Sequence, residues 1–204
     1  MRFKGGFTKI LVAVLVITSV LCACNKTVDI KDCDSFGDFK DGLRWVEKDE
    51  KYGYINSAGK VVVPLEYDWA EDFGILAPGL ARVKKDKKCG IVNTAGKVVV
   101  APEYGYIEDF CDLGYAIVEK DGKEGCINSS GEVIVPLKYD HVFYFFDGLA
   151  RVYKNNKKGY VNAFGEEVMP PEYLNTKRVG ANIIAGQKEW EGKWILLNTS
   201  GEIV

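Results

Sequence analysis

Apolar and polar positions alternate in short runs along this chain, and the runs return on a fixed beat. From residue 79 the chain reads GLARV, a charged stretch KKDKK, then CGIVN, a turn-like TAG, and finally KVVVAPEY. Alternate residues of a strand share one face. The aliphatic fifth residue of the first run recurs as Val46, Val83, Val118, Val152 and Ile184, usually with Ala two positions before it. The second run keeps an inward position at Ile55, Val92, Ile127, Val161 and Leu197. The pattern predicts three short strands per unit, of which the third is KVVV, EVIV or EEVM.

The punctuation is as regular as the strands. Asn is followed three residues later by Gly at Asn56/Gly59, Asn93/Gly96, Asn128/Gly131, Asn162/Gly165 and Asn198/Gly201, at spacings of 37, 35, 34 and 36. Asn in such a turn accepts backbone hydrogen bonds, and Gly takes the left-handed conformation of a type I turn with a G1 bulge. Four-residue charged stretches (KDEK, KDKK, KDGK, KNNK) separate the first and second strands, with Asp, Asn and Gly supplying turn conformations. Pro64, Pro102, Pro136 and Pro170 follow the third strand and should end it or mark an edge, because Pro removes a ladder donor. Tyr67, Tyr104, Tyr139 and Tyr173 close each phrase.

One unit of about 35 residues cannot bury its own apolar face, whereas stacked neighbours can. The expected fold is therefore all-β: a tandem array of about five three-stranded antiparallel units, open or partly closed and curved. The array is cut out of phase, with FGDFKD (36–41) at its head and GEIV at its tail, so propeller-like closure is the alternative.

These units resemble bacterial WG repeats, named for an aromatic–Gly pair followed by a Gly-Lys-Val-Val and Pro-x-Tyr-Asp pattern. The pair stands here as Tyr52-Gly53, Cys89-Gly90, Glu124-Gly125, Lys158-Gly159 and Trp194-Ile195, and the flanking VPLEYD (63–68) makes the match specific. Only the first copy keeps both members. The resemblance implies a β-repeat architecture and a loose role in binding, and it carries over no catalytic residue.

The first residues change the picture from a free module to an exported one. Arg2, Lys4 and Lys9 precede an apolar run, Ile10 to Val20, which is short for a bilayer span. The run ends in Leu21-Cys22-Ala23-Cys24, which resembles a lipoprotein signal with its lipobox. That resemblance implies cleavage before Cys24 and lipidation there, giving a signal peptide over 1–23, a short tether over 24–35 and the repeat domain over 36–204. A plain secretory signal is the alternative. Each buried acyl CH2 contributes about 0.8 kcal/mol to membrane anchoring. Asn25 rather than Asp after the cysteine favours the outer membrane in the Gram-negative pattern.

Charge and cysteine usage narrow the partners. The signal takes three of the 27 Lys+Arg residues and none of the 29 Asp+Glu, so the mature chain carries a net charge of −5. Such a surface does not favour nucleic acid. Cys33, Cys89, Cys111 and Cys126 remain, an even number in an exported protein. They read either as one or two disulfides or as small hydrophobes at variable repeat positions.

Candidate chemistry is sparse. His141, the single histidine, has Asp140 beside it on the opposite face of an extended segment, so the two should not form a dyad. Asp32, Asp34 and Gly37 mimic the start of a calcium loop, but Phe36 and Leu43 occupy positions that need ligands. The acidic pairs in EYDWAEDF (66–73) and EYGYIEDF (103–110) recur by register, whereas an active site should be unique. With the Lys-rich turns they suggest one acidic and one basic rim. No catalytic residue, metal or cofactor is expected. The position after the motif Gly offers apolar residues on the second face, as either a second buried layer or a ligand surface. Tyr54, Tyr160 and Trp194 are the ligand-facing candidates. The expected function is a non-enzymatic cell-envelope lipoprotein that binds or scaffolds a protein partner. Glycan or peptidoglycan binding through repeated aromatics is the alternative.

Overall fold

The computed structural model describes residues 26–180 and 182–204. The expected signal peptide and Cys24 lie outside the described residues. Among the described residues there is no α-helix, and a single 3-10 turn, Ile30–Asp32, precedes the strands. Strands β1 (Ser35–Phe36), β2 (Leu43–Lys48), β3 (Lys51–Asn56) and β4 (Val61–Tyr67) form the first sheet, in that order. The second contains β5 (Trp69–Ala70), β6 (Leu80–Lys85), β7 (Lys88–Asn93) and β8 (Val98–Tyr104). The third contains β9 (Tyr106–Ile107), β10 (Tyr115–Lys120), β11 (Lys123–Asn128) and β12 (Val133–Tyr139). The fourth contains β13 (His141–Val142), β14 (Leu149–Lys154), β15 (Lys157–Asn162) and β16 (Glu167–Tyr173). The last has three strands, β17 (Asn175–Gly180), β18 (Ile183–Gln187) and β19 (Trp194–Asn198). All five are antiparallel meanders in tandem, and none closes into a barrel.

In the first four sheets the three long strands follow the alternation, but the third runs on through its Pro to the closing Tyr, as in Val61–Tyr67, so the Pro marks an edge strand and does not end it. The first four sheets add a two-residue strand that a period-two pattern is too short to reveal. It comes from the tail of the preceding phrase: Trp69 and Ala70 directly follow the Pro–Tyr segment, yet pair with Lys84 and Val83 of β6. Sheet and sequence repeat are therefore out of step by one short strand.

Turn chemistry explains the recurring residues. The side-chain oxygen of Asn56 accepts from the backbone N–H of Ala58 and of Lys60, each at 3.0 Å. Asn93, Asn128, Asn162 and Asn198 accept from the same two relative positions. The Gly at the end of each turn has φ between 74° and 85°. The charged hairpins hold two successive residues at positive φ, such as Asp49 and Glu50 or Asn155 and Asn156. That is the type I′ turn whose twist matches the strands it joins.

The glycine of the aromatic–Gly pair has a different reason. A Cβ on Gly53, Gly90, Gly125 or Gly159 would lie 2.4–2.7 Å from the carbonyl oxygen of Val63, Val100, Val135 or Met169. The third strand shifts register against the second at this point. The chain after it then crosses so close that only Gly fits. This explains why Gly persists where the aromatic has become Cys89, Glu124 or Lys158.

The chain divides into two compact units. One comprises residues to Asp86 with Ile91–Val98, and the other Lys87–Gly90 with Val99–Val204. In the first unit Leu43, Tyr54, Val63 and Tyr67 pack on Ala70, Phe73, Ala81, Val83 and Val92. In the second, Ile117, Cys126, Val135 and Tyr139 pack on Val142, Ala150, Val152 and Val161. A further layer there joins Tyr160, Met169 and Tyr173 to Ile184 and Leu197. The residue after the motif Gly thus faces one neighbour and the aliphatic row faces the other, which makes these sheets buried on both sides. The stretch expected as a tether is also docked. Val28 N–H donates to the Gly59 carbonyl and Val61 N–H to that of Lys26, each at 2.9 Å. Val28 and Cys33 cover Val46, Ile55 and Val61.

Candidate binding site

The recurring charged residues join repeats to one another. Asp68 accepts from Lys51 Nζ at 2.6 Å, in the hairpin turn of the first sheet, and from the N–H of Asp86 at 2.7 Å, in the turn of the second. Asp140 does the same with Lys123 Nζ at 2.6 Å and the N–H of Asn155 at 2.5 Å. The lysine hydrogen bond holds both carboxyls below the ordinary carboxylate value. Glu66–Lys85, Glu103–Lys120 and Glu172–Lys188 pair at 2.6–3.0 Å. The expected separation into an acidic and a basic rim is thus corrected: acids from the Pro–Tyr segments sit against the turn lysines. Exposed pairs of this kind contribute little to stability, because water and salt screen them.

The other polar candidates are also drawn apart. Asp140 goes to the turns, while His141 Nδ1 lies 3.1 Å from Glu124 Oε1. Asp34 accepts from the N–H of Asp49 at 2.9 Å, so the apparent calcium loop contains the first copy of the turn clamp. Glu71 binds Arg82, with Nη2 2.9 Å from Oε1, whereas Glu108 accepts from the Tyr144 hydroxyl at 2.6 Å.

The ligand-facing candidates separate as well. Tyr54 is 1% exposed, and its hydroxyl donates to the Glu71 carbonyl at 2.5 Å. It is a core residue, a correction that follows from the two-sided burial of its sheet. Tyr160 is 5% exposed and packs among Leu149, Met169 and Tyr173, so it too is a core residue, of which only an edge borders a cleft. Trp194 is exposed, with Lys177 Nζ 4.4 Å from its ring centre.

A different feature emerges in the fourth sheet. Between β13 and β14 the chain reads Phe143-Tyr144-Phe145-Phe146, at the register where the second sheet has Glu71, Asp72 and Phe73. Phe143, Tyr144 and Phe146 are 39%, 60% and 66% exposed. Arg151 is the counterpart of Arg82, but with Phe143 replacing the acid its guanidinium lies over that ring at 4.6 Å. Arg178, on β17, lies 5.1 Å over Phe146 and donates to the Phe146 carbonyl. These residues line a cleft of about 360 Å³ with Leu149, Tyr160, Thr176 and Lys177. Arg151 Nε, Thr176 Oγ1 and Arg178 Nη2 are buried there without a hydrogen-bond partner. Two acids reach the cleft's lining residues: Glu108, which takes the Tyr144 hydroxyl at 2.6 Å, and Asp147, whose Oδ2 is 3.7 Å from Arg178 Nη2. The signal available in the sequence was this aromatic run at an acidic register.

Comparison with known families gives three successive matches to the WG-containing repeat, over residues 52–89, 90–123 and 125–157, more than half of the chain. This chain belongs to the WG-repeat family. Comparison with proteins of curated function finds no match. Among solved structures, a eukaryotic initiation factor aligns at 10% identity and a TM-score of 0.39, covering 88% of this chain and 56% of that one. Hsv2p of Kluyveromyces lactis aligns at 11% identity and 0.34, covering 88% and 63%. A structure described as the de novo evolutionary emergence of a symmetrical protein aligns at 8% and 0.26, covering 64% and 70%. The chain thus spans a little over half the length of the first two.

Within the WG repeats the constant residues serve turns, close crossings and stacking. The cleft is built at variable positions, starting in the third matched segment and continuing past it into β17.

Proposed function

We propose that this protein is a non-enzymatic, lipid-anchored envelope module whose WG repeats hold a protein partner. The observation that carries the reading is the exposed aromatic run Phe143–Phe146 set against Arg151 and Arg178, where the second and third sheets place Glu71 and Glu108 and the second closes the Glu71–Arg82 ion pair. Aromatic residues and Arg dominate the energetics of protein interfaces. The repeated polar residues are committed to the fold, which supports a binding role over catalysis. The lipobox-like Leu21 to Cys24 supports the anchor.

Placing a photo-crosslinking residue at Tyr144 in the expressing cell tests the partner. A discrete protein adduct from position 144, absent from a control at the exposed turn residue Glu50, is expected. No adduct, with retention of the protein on purified peptidoglycan, would instead support the glycan reading, which rests on the exposed Trp190 and Trp194. Radioactive palmitate labelling of wild type and Cys24→Ser tests the anchor, and equal labelling would refute it.

A further inference from the structure

We infer that the cleft of the fourth sheet is a carboxylate-binding site, and that it takes an acidic side chain flanked by apolar residues in a peptide segment of the partner. The inference rests on the protein-binding reading above and adds the chemistry of the contact.

Three observations converge on it. First, the cleft gathers Arg151, Lys177 and Arg178 in a chain whose Lys+Arg are outnumbered by Asp+Glu, 27 to 29. No acidic residue lines it: Glu108 is engaged by the Tyr144 hydroxyl at 2.6 Å, and Asp147 reaches Arg178 only at 3.7 Å. Second, three buried polar atoms of residues that line it have no hydrogen-bond partner: Arg151 Nε, Arg178 Nη2 and Thr176 Oγ1. A buried polar group left unpaired is destabilising, and more so when it is charged. Two of the three are guanidinium donors, and a guanidinium fork matches a carboxylate. Third, the second sheet shows the pairing inside this same chain. There the register position of Arg151 is Arg82, and Glu71 fills its fork with contacts of 2.9 and 3.3 Å. Phe143 has removed that internal carboxylate in the fourth sheet and left the arginine to a carboxylate from outside.

The walls select the flanks. Phe143, Tyr144 and Phe146 offer exposed rings, and Leu149 adds an aliphatic surface. Planar guanidinium groups held over Phe143 and Phe146 are fixed in orientation before a ligand arrives, which lowers the ordering cost of binding.

The test uses the full chain and the peptide acetyl-Gly-Phe-Glu-Phe-Gly-amide, followed by amide chemical-shift perturbation and calorimetry at low salt. The peptide is expected to shift resonances of residues 143–151 and 176–178. Replacing its Glu by Gln should weaken binding at least fivefold. Arg178→Gln should weaken it tenfold or more. Arg151→Lys, which keeps charge and loses the fork, should fall between wild type and Arg151→Gln. Unchanged thermal melting of each variant keeps a folding defect from imitating the result. If the Glu and Gln peptides bind this cleft equally, the carboxylate assignment is overturned while the protein-binding reading stands. If neither peptide binds and oligogalacturonate, a carboxylated glycan, shifts the same resonances, the peptide assignment and the protein-binding reading both fail. Shifts confined to other sheets, or no shifts with any probe, overturn the site.

Discussion

Asp68 takes the ammonium of Lys51 on one carboxylate oxygen, at 2.6 Å, and a backbone N–H from the next hairpin turn on the other. One side chain thereby fastens two successive turns. The lysine hydrogen bond, followed by the backbone bond, pulls Asp68 below its ordinary value of 3.8, and Asp140 is lowered for the same reasons. A carboxylate lowered in the native state stabilises it fully above the unfolded-state value, and the contribution is lost as pH falls through the native one. The double variant Asp68→Asn/Asp140→Asn should melt below wild type at neutral pH. The gap should stay constant down to about pH 5 and close as pH falls below the ordinary carboxylate value of 3.8. Melting curves across that range check it, and a gap that persists in acid would contradict the clamp.

The clamp is absent at two repeats, where Gly105 and Leu174 take the aspartate's place. Gly105 stands where Asp68 and Asp140 stand, and Glu119 folds over to accept from the N–H of Gly122 at 2.5 Å. A Cβ on Gly105 would meet only the carboxylate end of Glu119, which can swing away. Gly105→Ala is expected to be tolerated. Gly125→Ala is not, since its Cβ would fall 2.4 Å from the Val135 carbonyl oxygen, and forcing extra volume there costs about 1–3 kcal/mol. Urea denaturation of the two variants measures the contrast.

The turn asparagines make a separate stability prediction. Asn128 Oδ1 accepts from the N–H groups of Ser130 and Glu132 at 3.0 and 2.9 Å. Asn128→Ala loses both of these hydrogen bonds and should cost about 1–2 kcal/mol, while Asn128→Asp keeps them, loses only the Nδ2 donation to Glu132, and should cost less. The ranking of the two denaturation midpoints decides the matter.

Burial makes Cys126 inert. It is 1% exposed, and desolvation pushes its thiol up to about 12. Iodoacetamide at about pH 8 should leave Cys126 unmodified in the folded protein and label it after urea unfolding, as read by mass spectrometry of the peptides. Labelling of the folded form would place this thiol at the surface.

Much of the architecture was legible because it is repeated. The strands follow from Val46, Val83 and their equivalents, and the turns from Asn56 with Gly59. What the pattern could not convey were effects involving few residues or distant ones. Trp69-Ala70 is too short to alternate. Asp34 looked like a cation ligand because its acceptor role depends on Asp49, fifteen residues away. Tyr54 and Tyr160 read as either a second buried layer or a ligand face, because a period of two identifies two faces without saying that both are covered. The cleft was legible only as an aromatic run at the wrong register, and its meaning required Arg178 from the next sheet.

The offset between sheet and phrase has an evolutionary consequence. Each short strand is encoded at the end of one phrase and used in the following sheet. Replication slippage that copies one 34–37-residue window in frame would therefore insert a complete blade-like layer, wherever in the phrase the breakpoints fall. Such a gene can lengthen or shorten in single events, while unique surfaces such as the aromatic run arise by later drift within one copy.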